Sequence, residues 1–468
     1  MPKHSIDHWI ESQEIPAVEM EKARLRQMLH GGKLTESLLT LGIISQQRLT
    51  EFELQIPQPP RTIEQTGLQL SFITDLATKH ILFMGEFEQQ TLAEKICLPL
   101  NLVDAVMEQL RRAKFVEVLG ASGYSSGTYR YLITDAGKNR AQELMEICRY
   151  VGPAPVSLGD YVRIVDGQTI RSVTVDHNQI NAAFTHLVVN PHLMKSIGPA
   201  VSSGRSIFLY GASGNGKTAI AEAIGTVFQE PIYVPYALYV GGQVITVYDP
   251  VSHVPVSETE QESHADQRWK KVKRPVVIVG GELTLKMLDL EFNSVTKYYE
   301  ASLQMKANNG IFLIDDFGRQ QVEPRILLNR WIVPLERRVD FMSLHTGMKF
   351  TIPFDLLVLF ATNIEPNELV DDAFLRRIRY KVRIDHPTVV EFEEIFRRVC
   401  EVNGIEFKQP VFDYLINDLY GNSSIPMTAC HPRDIVDHLL DQARFNKTKA
   451  VLAKEAIDQA WKTYFVQP

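Results

Sequence analysis

The sequence predicts an α/β protein with a buried parallel sheet, and three stretches support this prediction. An apolar run at residues 206–210 leads into a glycine-rich loop at Gly211–Thr218, and a helical pattern follows at 219–224. A second apolar run, Ile311–Ile314, ends in two carboxylates, and a third, Leu356–Ala361, ends in Thr-Asn. Continuous apolar runs of this length are typical of strands that are covered on both faces. We therefore expect buried strands whose carboxyl ends carry polar side chains.

The glycine loop has the pattern G-x-x-x-x-G-K-[ST] and lies between a strand and a helix, which is the context that this motif requires. It consists of Gly211, Ala212, Ser213, Gly214, Asn215, Gly216, Lys217 and Thr218. Glycines let backbone N–H groups turn inward toward a polyphosphate, and the following helix adds its positive N-terminal end. The lysine can reach the β- and γ-phosphates, and the threonine hydroxyl can bind Mg²⁺. A glycine-rich turn before an ordinary helix is the alternative, but the Lys-Thr ending favours a nucleotide-binding loop.

Length and composition limit the classes of protein to which this sequence can belong. The 468 residues predict two or three domains, and 45% hydrophobic with 22% charged residues are ordinary for a globular protein. A net charge of -7 argues against broad affinity for nucleic acid. No apolar run approaches the roughly 18 residues of a membrane span, and residues 1–9 lack a signal-peptide core. Four scattered cysteines, without metal-ligand spacing, indicate reduced thiols and a cytoplasmic location.

The region before the glycine loop divides into a helical N-terminal segment at 1–60 and a sharper pattern at 61–150. Within the second region, helices are predicted first, then two strands around a turn-rich stretch at 120–127, then a closing helix. This order resembles a winged helix-turn-helix, an α+β domain. The residues 151–164 contain two prolines and two glycines before Asp160 and are predicted to form a linker.

A winged-helix-like fold does not by itself mean DNA binding. Lys and Arg do not outnumber Asp and Glu in residues 61–150. Arg111, Arg112 and Lys114 cluster at the end of a predicted helix, and Arg130 could lie on the wing, but basic residues in a last helical turn are expected from the helix dipole. Docking of a protein partner is slightly favoured over DNA contact, and both stay open.

The polar residues after the second and third strands suggest a reaction. Asp315 is placed to hold the magnesium shell, and Asp316 to orient or activate an attacking water. Asn363 could hydrogen-bond the γ-phosphate or that water, unless it is only a turn residue. Arg376 and Arg377 could stabilise transition-state charge, although paired arginines often only decorate a surface.

The order of these motifs resembles the AAA+ ATPase superfamily across residues 165–465. By this resemblance Gly211–Thr218 is the Walker A loop, Ile311–Asp316 is Walker B, and Asn363 is sensor 1. The implied fold class is a P-loop NTPase, with a three-layer αβα core at 165–386 and a C-terminal α-helical lid at 387–468.

Further roles follow from the same resemblance. Arg433, at the start of a helix predicted from Cys430 to about Phe445, matches sensor 2. Arg376 and Arg377 match arginine fingers that act on the ATP of a neighbouring subunit, which implies a ring-shaped homo-oligomer, usually a hexamer. Residues 298–311 and 339–354 resemble features of magnesium-chelatase-like and MoxR-like members.

The resemblance implies Mg²⁺-dependent hydrolysis of ATP to ADP and phosphate that remodels a protein client, with the winged-helix-like domain selecting the partner. One departure bears on turnover. Walker B of hydrolysing members ends in Asp-Glu, whereas here Asp316 is one methylene shorter, so hydrolysis is expected to be slow. The alternative is a nucleotide-switched, DNA-binding regulator with little turnover.

Two further stretches fall between the motifs. Residues 231–256 are predicted to form an inserted hairpin with a turn at Gly241-Gly242, and 258–273 a polar, mobile loop. Tyr298 and Tyr299 are either a buried aromatic pair, which is the more common situation, or pore residues that grip a substrate.

Overall fold

The computed structural model describes residues 15–30, 34–43, 56–121, 129–173, 175–256, 265–369 and 372–465. The predicted turn-rich stretch at 120–127 and the first part of the predicted loop at 258–273 therefore lie mostly outside the described residues. In the N-terminal segment, α1 (Ala17–His30) and α2 (Leu34–Thr40) pack together through Ala23 and Leu38, which are fully buried.

Residues 61–150, here called the N-terminal unit, pack three helices, a three-stranded sheet and a closing helix around one core. The antiparallel sheet has the order β1-β3-β2. Thr134 caps the closing helix by accepting a hydrogen bond from the backbone N–H of Gly137 at 3.1 Å. The elements are α3 (Leu70–Met84), β1 (Glu86–Glu88), α4 (Gln89–Ile96), α5 (Leu100–Arg112), β2 (Val116–Ala121), β3 (Tyr129–Ile133) and α6 (Asp135–Ile147).

The central sheet is parallel and has the order β10-β13-β16-β5-β17. Every residue of β13 and β16 is buried, so the prediction from their continuous apolar sequence is confirmed. Because β16 lies between β5 and β13, the chain that follows β16 emerges between the glycine loop and Asp315. The strands are β5 (Ile207–Tyr210), β10 (Val276–Val279), β13 (Ile311–Ile314), β16 (Leu357–Thr362) and β17 (Tyr380–Arg383).

Helices cover both faces of this sheet because successive strand residues point to opposite sides. Ile207 and Leu209 pack with one cluster that includes Ile224, whereas Phe208 packs with the other, which includes Trp331. The α/β prediction is confirmed. The associated helices are α8 (His177–Phe184), α9 (Pro191–Ser202), α10 (Lys217–Val227), α12 (Pro324–Arg337), α13 (Pro366–Leu369) and α14 (Asp372–Leu375).

A second five-stranded sheet, of order β11-β12-β8-β7-β4, lies beside the core and is called the inserted sheet. The predicted hairpin within it is confirmed: β7 and β8 are antiparallel and are joined by Gly241-Gly242, both with positive φ. Its strands are β4 (Val156–Ser157), β7 (Ala237–Val240), β8 (Gln243–Thr246), β11 (Glu291–Asn293) and β12 (Tyr298–Glu300).

Two short strand pairs and two helices pack against the inserted sheet. Residues 339–353 form an antiparallel hairpin of β14 and β15, whose buried residues share a core with β7 and β8. These elements are β6 (Ile232–Pro235) with β9 (Trp269–Val272), β14 (Val339–Ser343) with β15 (Lys349–Pro353), α7 (Leu158–Gly167) and α11 (Leu303–Lys306).

Two sequence interpretations are corrected by the structure, and one open alternative is decided. Residues 151–164 are not a free linker, because Val156–Ser157 pairs in parallel with β7 and α7 buries Tyr161. The described part of the predicted mobile loop contains β9, in which Trp269 is buried. Tyr299 is only 2% exposed, so it is not a pore residue, and the buried alternative is confirmed for it.

The C-terminal helical unit, residues 387–465, has its own core of aromatic and aliphatic side chains. Thr388 and Glu391 form a capping box at the start of its first helix. The helix predicted to begin near Cys430 is confirmed. The helices are α15 (Val389–Val402), α16 (Gln409–Tyr414), α17 (His431–Asn446) and α18 (Lys454–Tyr464), with a π-helical turn at Leu415–Tyr420 and 3-10 turns elsewhere at Glu64–Thr66, Ile170–Ser172 and Leu285–Leu288. None of the helices in the described ranges is long and apolar enough to cross a membrane.

Candidate functional site

The glycine loop joins β5 to α10 at the carboxyl edge of the central sheet. Gly211, Gly214 and Gly216 have φ values of 136°, 78° and 82°, which residues with a Cβ rarely adopt. A Cβ on Gly211 would lie 2.2 Å from the carbonyl oxygen of Ile384. The glycines are therefore required both for the turn itself and for the close approach of the chain that follows β17.

Lys217 is the first residue of α10, and its side chain folds back across the loop. Its Nζ donates hydrogen bonds to the carbonyl oxygens of Gly211, at 2.9 Å, and Ala212, at 3.0 Å. Burial lowers the pKa of this ammonium, and the charges of Asp316 and Asp315 act in the opposite direction. These hydrogen bonds use two of the three N–H donors of the ammonium group. They hold the positive charge of Lys217 next to the glycine loop.

Thr218 and Asp315 meet although they lie 97 residues apart in the chain. The threonine hydroxyl donates a 2.7 Å hydrogen bond to Oδ2 of Asp315, which directly follows β13 and is half-buried. Asp316 is exposed and has a left-handed φ of 47°. The Gln320 amide holds this turn by donating to the backbone oxygens of Asp315, at 2.9 Å, and Asp316, at 3.2 Å.

The loop and carboxylates line one cavity of about 920 Å³, between the central sheet and the C-terminal helical unit. This volume is within the range of small-molecule sites. Arg433, on α17, also lines it and is exposed over 71% of its side chain. The sequence-predicted residues that the cavity brings together are Ser213, Gly214, Asn215, Gly216, Lys217, Thr218, Asp315, Asp316 and Arg433.

Five predicted site residues are not among the described residues that line this cavity: Gly211 and Ala212 at the start of the loop, and Asn363, Arg376 and Arg377. Asn363 follows β16, between the two strands that carry the loop and Asp315, and is half-buried. Arg376 is exposed, and Nε of Arg377 pairs with Glu336 at 2.5 Å. Neither arginine reaches the cavity of its own chain.

Sequence reasoning missed the apolar wall of the cavity. This wall includes Leu187, Val189 and Leu193 from the chain around the start of α9, and Ile395 and Val399 from α15. An apolar surface next to a phosphate-binding loop suits the flat face of a nucleotide base. The only signal in the sequence is the apolar run Leu187-Val188-Val189, which lies between α8 and α9 and belongs to no motif.

Arg398 fixes that wall to the C-terminal helical unit. Its Nη1 donates to the carbonyl oxygens of Thr185, at 2.9 Å, and Leu187, at 3.4 Å, while Nε donates to Glu394. Arg398 therefore holds α15 to the chain segment that forms the apolar wall.

Comparison with known proteins gives partial similarities. Residues 388–463 match a family described as Domain of unknown function (DUF8689), which covers most of the C-terminal helical unit. No curated protein matches the sequence significantly.

Among solved structures, NtrX from Brucella abortus in complex with ATP is similar at a TM-score of 0.36 and 14% identity, over 57% of this chain and 54% of that chain. The similarity thus spans about half the length of NtrX. A P216G mutant of RuvB from Thermotoga maritima is similar at a TM-score of 0.35 and 12% identity, over 63% of this chain and 72% of that one. A further Thermotoga maritima RuvB structure, described as a Holliday junction branch migration motor, has a TM-score of 0.33 and 13% identity, over 62% of this chain and 70% of that one.

Proposed function

We propose that this chain is an AAA+ ATPase that binds ATP with Mg²⁺ in the cavity above the glycine loop and hydrolyses it to ADP and phosphate. The observation that carries the proposal is the 2.7 Å hydrogen bond between Thr218 and Asp315. A glycine loop alone could be an ordinary turn. A glycine loop whose terminal hydroxyl meets the carboxylate of a distant, buried strand is the arrangement expected of a nucleotide–metal site.

The glycine loop and Lys217 would bind the phosphates. Backbone N–H groups at the start of α10 carry partial positive charge, and the Nζ of Lys217 lies across the loop. Displacing its two carbonyl contacts by phosphate oxygens would exchange neutral acceptors for charged ones, which adds ion-pair attraction to the hydrogen bonds of the ammonium. The base would lie against the apolar wall near Leu187 and Ile395.

The donor set near Thr218 fits Mg²⁺, which prefers hard oxygen ligands and keeps several waters. The hydroxyl of Thr218 and the carboxylate of Asp315 supply such oxygens. The described residues contain no cluster of three or more His, Cys, Asp or Glu side chains that could hold a metal. This agrees with an ion held mainly by phosphates and water. When bound, it would neutralise charge developing on the phosphate oxygens.

Asp316 would take the proton from, or orient, the attacking water. It is exposed beside the buried end of β13 and contributes negative charge near Lys217. Asn363, between the two strands, would have to turn toward the phosphate to assist. Because aspartate is shorter than glutamate, we expect turnover to be slow.

The positions of Arg376 and Arg377, outside the cavity of their own chain, support a role at the site of a neighbouring subunit in a ring, with a hexamer as the expected form. The proposed work is remodelling of a protein client or assembly.

The N-terminal unit would select the partner, and the order of its helices and sheet supports a winged-helix-like fold. Protein is favoured over DNA because two of the four candidate basic residues of this unit are already paired with carboxylates. Arg112 pairs with Glu108, and Arg130 with Glu86 at 2.9 Å. A regulator that binds DNA needs such charges for phosphates. The DNA alternative would be favoured by salt-dependent binding of duplex DNA to this unit.

A binding titration with a fluorescent ATP analogue tests the proposal. The unaltered protein should bind in the presence of Mg²⁺, and Lys217→Ala should weaken binding roughly 10- to 100-fold, because a charged hydrogen bond contributes about 1.5–3 kcal/mol. Lys349→Ala, an exposed lysine on β15, is the matched control and should bind like the unaltered protein. Equal affinity of Lys217→Ala would contradict the proposal.

A further inference from the structure

Asn215 occupies a position of the glycine loop that the motif leaves unspecified. Its side chain is nevertheless buried and contacts three parts of the molecule. It is 5% exposed. Its Nδ2 donates to the carbonyl oxygen of Ala212 at 3.4 Å, within the loop, and its Oδ1 accepts from the backbone N–H of Ala429 at 3.2 Å, in the C-terminal helical unit. Nδ2 also lies 3.4 Å from Nδ1 of His386.

The partners determine the orientation of this amide. The N–H of Ala429 requires an acceptor and the carbonyl of Ala212 requires a donor, so a flipped amide would lose both hydrogen bonds. Nδ1 of His386 lies 2.8 Å from the carbonyl oxygen of Met427 and must donate to it. It then has no lone pair for Asn215, and that neighbour is a packing contact.

The segment held by Asn215 leads directly into α17. The backbone N–H of Cys430 donates to the carbonyl oxygen of Gly214 at 2.9 Å. A Cβ on Gly214 would lie 2.7 Å from Sγ of Cys430, so the two segments are in direct contact. Arg433 lies three residues further, about one helical turn, and lines the cavity.

We propose that Asn215 is a positioning residue that fixes the start of α17, and therefore Arg433, over the glycine loop. The inference rests on the proposed function, since it concerns the same nucleotide site. Asparagine is suited to the position because one end of its side chain accepts while the other donates. Alanine would remove both hydrogen bonds, whereas aspartate would keep the one from Ala429 and place a second acceptor against Ala212.

A double-mutant cycle on ATP turnover tests the inference. Asn215→Ala should lower kcat/KM about 5- to 30-fold, as expected for loss of one or two hydrogen bonds. In an Arg433→Ala background the same substitution should change kcat/KM less than about two-fold, since the two residues act through one another. The matched control is Asn422→Ala, which lies in the same helical unit and bonds only locally, to the carbonyl oxygen of Asp418. Fully additive effects would overturn the inference.

Hydrogen exchange without nucleotide gives a second readout. The amides of Ala429 and Cys430 should exchange faster in Asn215→Ala, while Asn215→Asp should keep protection closer to that of the unaltered protein. Unchanged exchange in Asn215→Ala would overturn the positioning role, and Asn215→Asp decides the case if the alanine variant does not fold. If Lys217→Ala weakens nucleotide binding as expected while Asn215→Ala acts like the unaltered protein, only this inference fails. If the unaltered protein binds no nucleotide, both the inference and the proposed function fail.

Discussion

Two neighbouring carboxylates of the site have different surroundings and so different proposed roles. Asp315 is half-buried and engaged by Thr218, whereas Asp316 is exposed at a turn. A carboxylate bonded to a hydroxyl is suited to the metal shell, and a freely accessible one is suited to handling water. The sequence predicts that both carboxylates lie at the site, because the two residues directly follow one apolar strand.

Asp316→Asn should therefore reduce ATP turnover by roughly 10²- to 10⁴-fold, the usual contribution of a general base, while nucleotide affinity changes little. Steady-state hydrolysis and analogue binding measured on the same preparation would separate the two effects. Asp413→Asn, on an exposed part of the C-terminal helical unit, is the control. Turnover unchanged in Asp316→Asn would remove Asp316 from the proposed mechanism.

At the scale of elements, the strands of the central sheet were predictable because their apolar runs are local signals. The apolar wall of the cavity and β4 were not. β4 lies in a proline- and glycine-rich stretch, and its partner β7 is about 80 residues away, so only long-range pairing reveals it. Local composition predicts a linker there. Similarly, nothing in the sequence distinguishes Arg398 from other arginines on helices. Only the structure shows that it bonds the carbonyl oxygens of Thr185 and Leu187.

Arg268 and Asp266, in the segment before β9, form an almost fully buried ion pair, and Arg268 also bonds this segment to the N-terminal unit. Nη1 of Arg268 donates to the carbonyl oxygens of Thr66, at 2.9 Å, and Pro155, at 3.3 Å. Arg268→Ala should lower the free energy of unfolding by about 3–5 kcal/mol, because it leaves a buried carboxylate without its partner. Urea denaturation would measure this.

The control for that experiment is Arg112→Ala, which breaks an exposed ion pair with Glu108 and should cost less than about 1 kcal/mol. A loss in Arg268→Ala as small as that of Arg112→Ala would show that the buried pair does not hold the two parts together.

At the scale of the whole molecule, the N-terminal unit is packed against the inserted sheet. The rings of Phe72 and Tyr239 are 4.3 Å apart and those of Tyr150 and Tyr298 5.7 Å apart, and the N–H of Arg149 donates to Thr296 at 2.9 Å. The strand β12, which carries Tyr298, leads through α11 into β13 and Asp315. The N-terminal unit is therefore packed against the strand whose chain continues to Asp315. From composition alone the two regions are predicted to be separated by a linker. No local pattern in the sequence predicts that they pack against each other.

Steady-state ATP hydrolysis per subunit across a range of protein concentrations tests the central claim most directly. We predict Mg²⁺-dependent turnover that rises with concentration, that falls to background in Lys217→Ala, and that is lost in Arg376→Ala/Arg377→Ala because the arginines act on a neighbouring site. Turnover in Lys217→Ala equal to that of the unaltered protein would contradict the assignment of the glycine loop. Turnover that is independent of concentration and of both arginines would contradict a site shared between subunits.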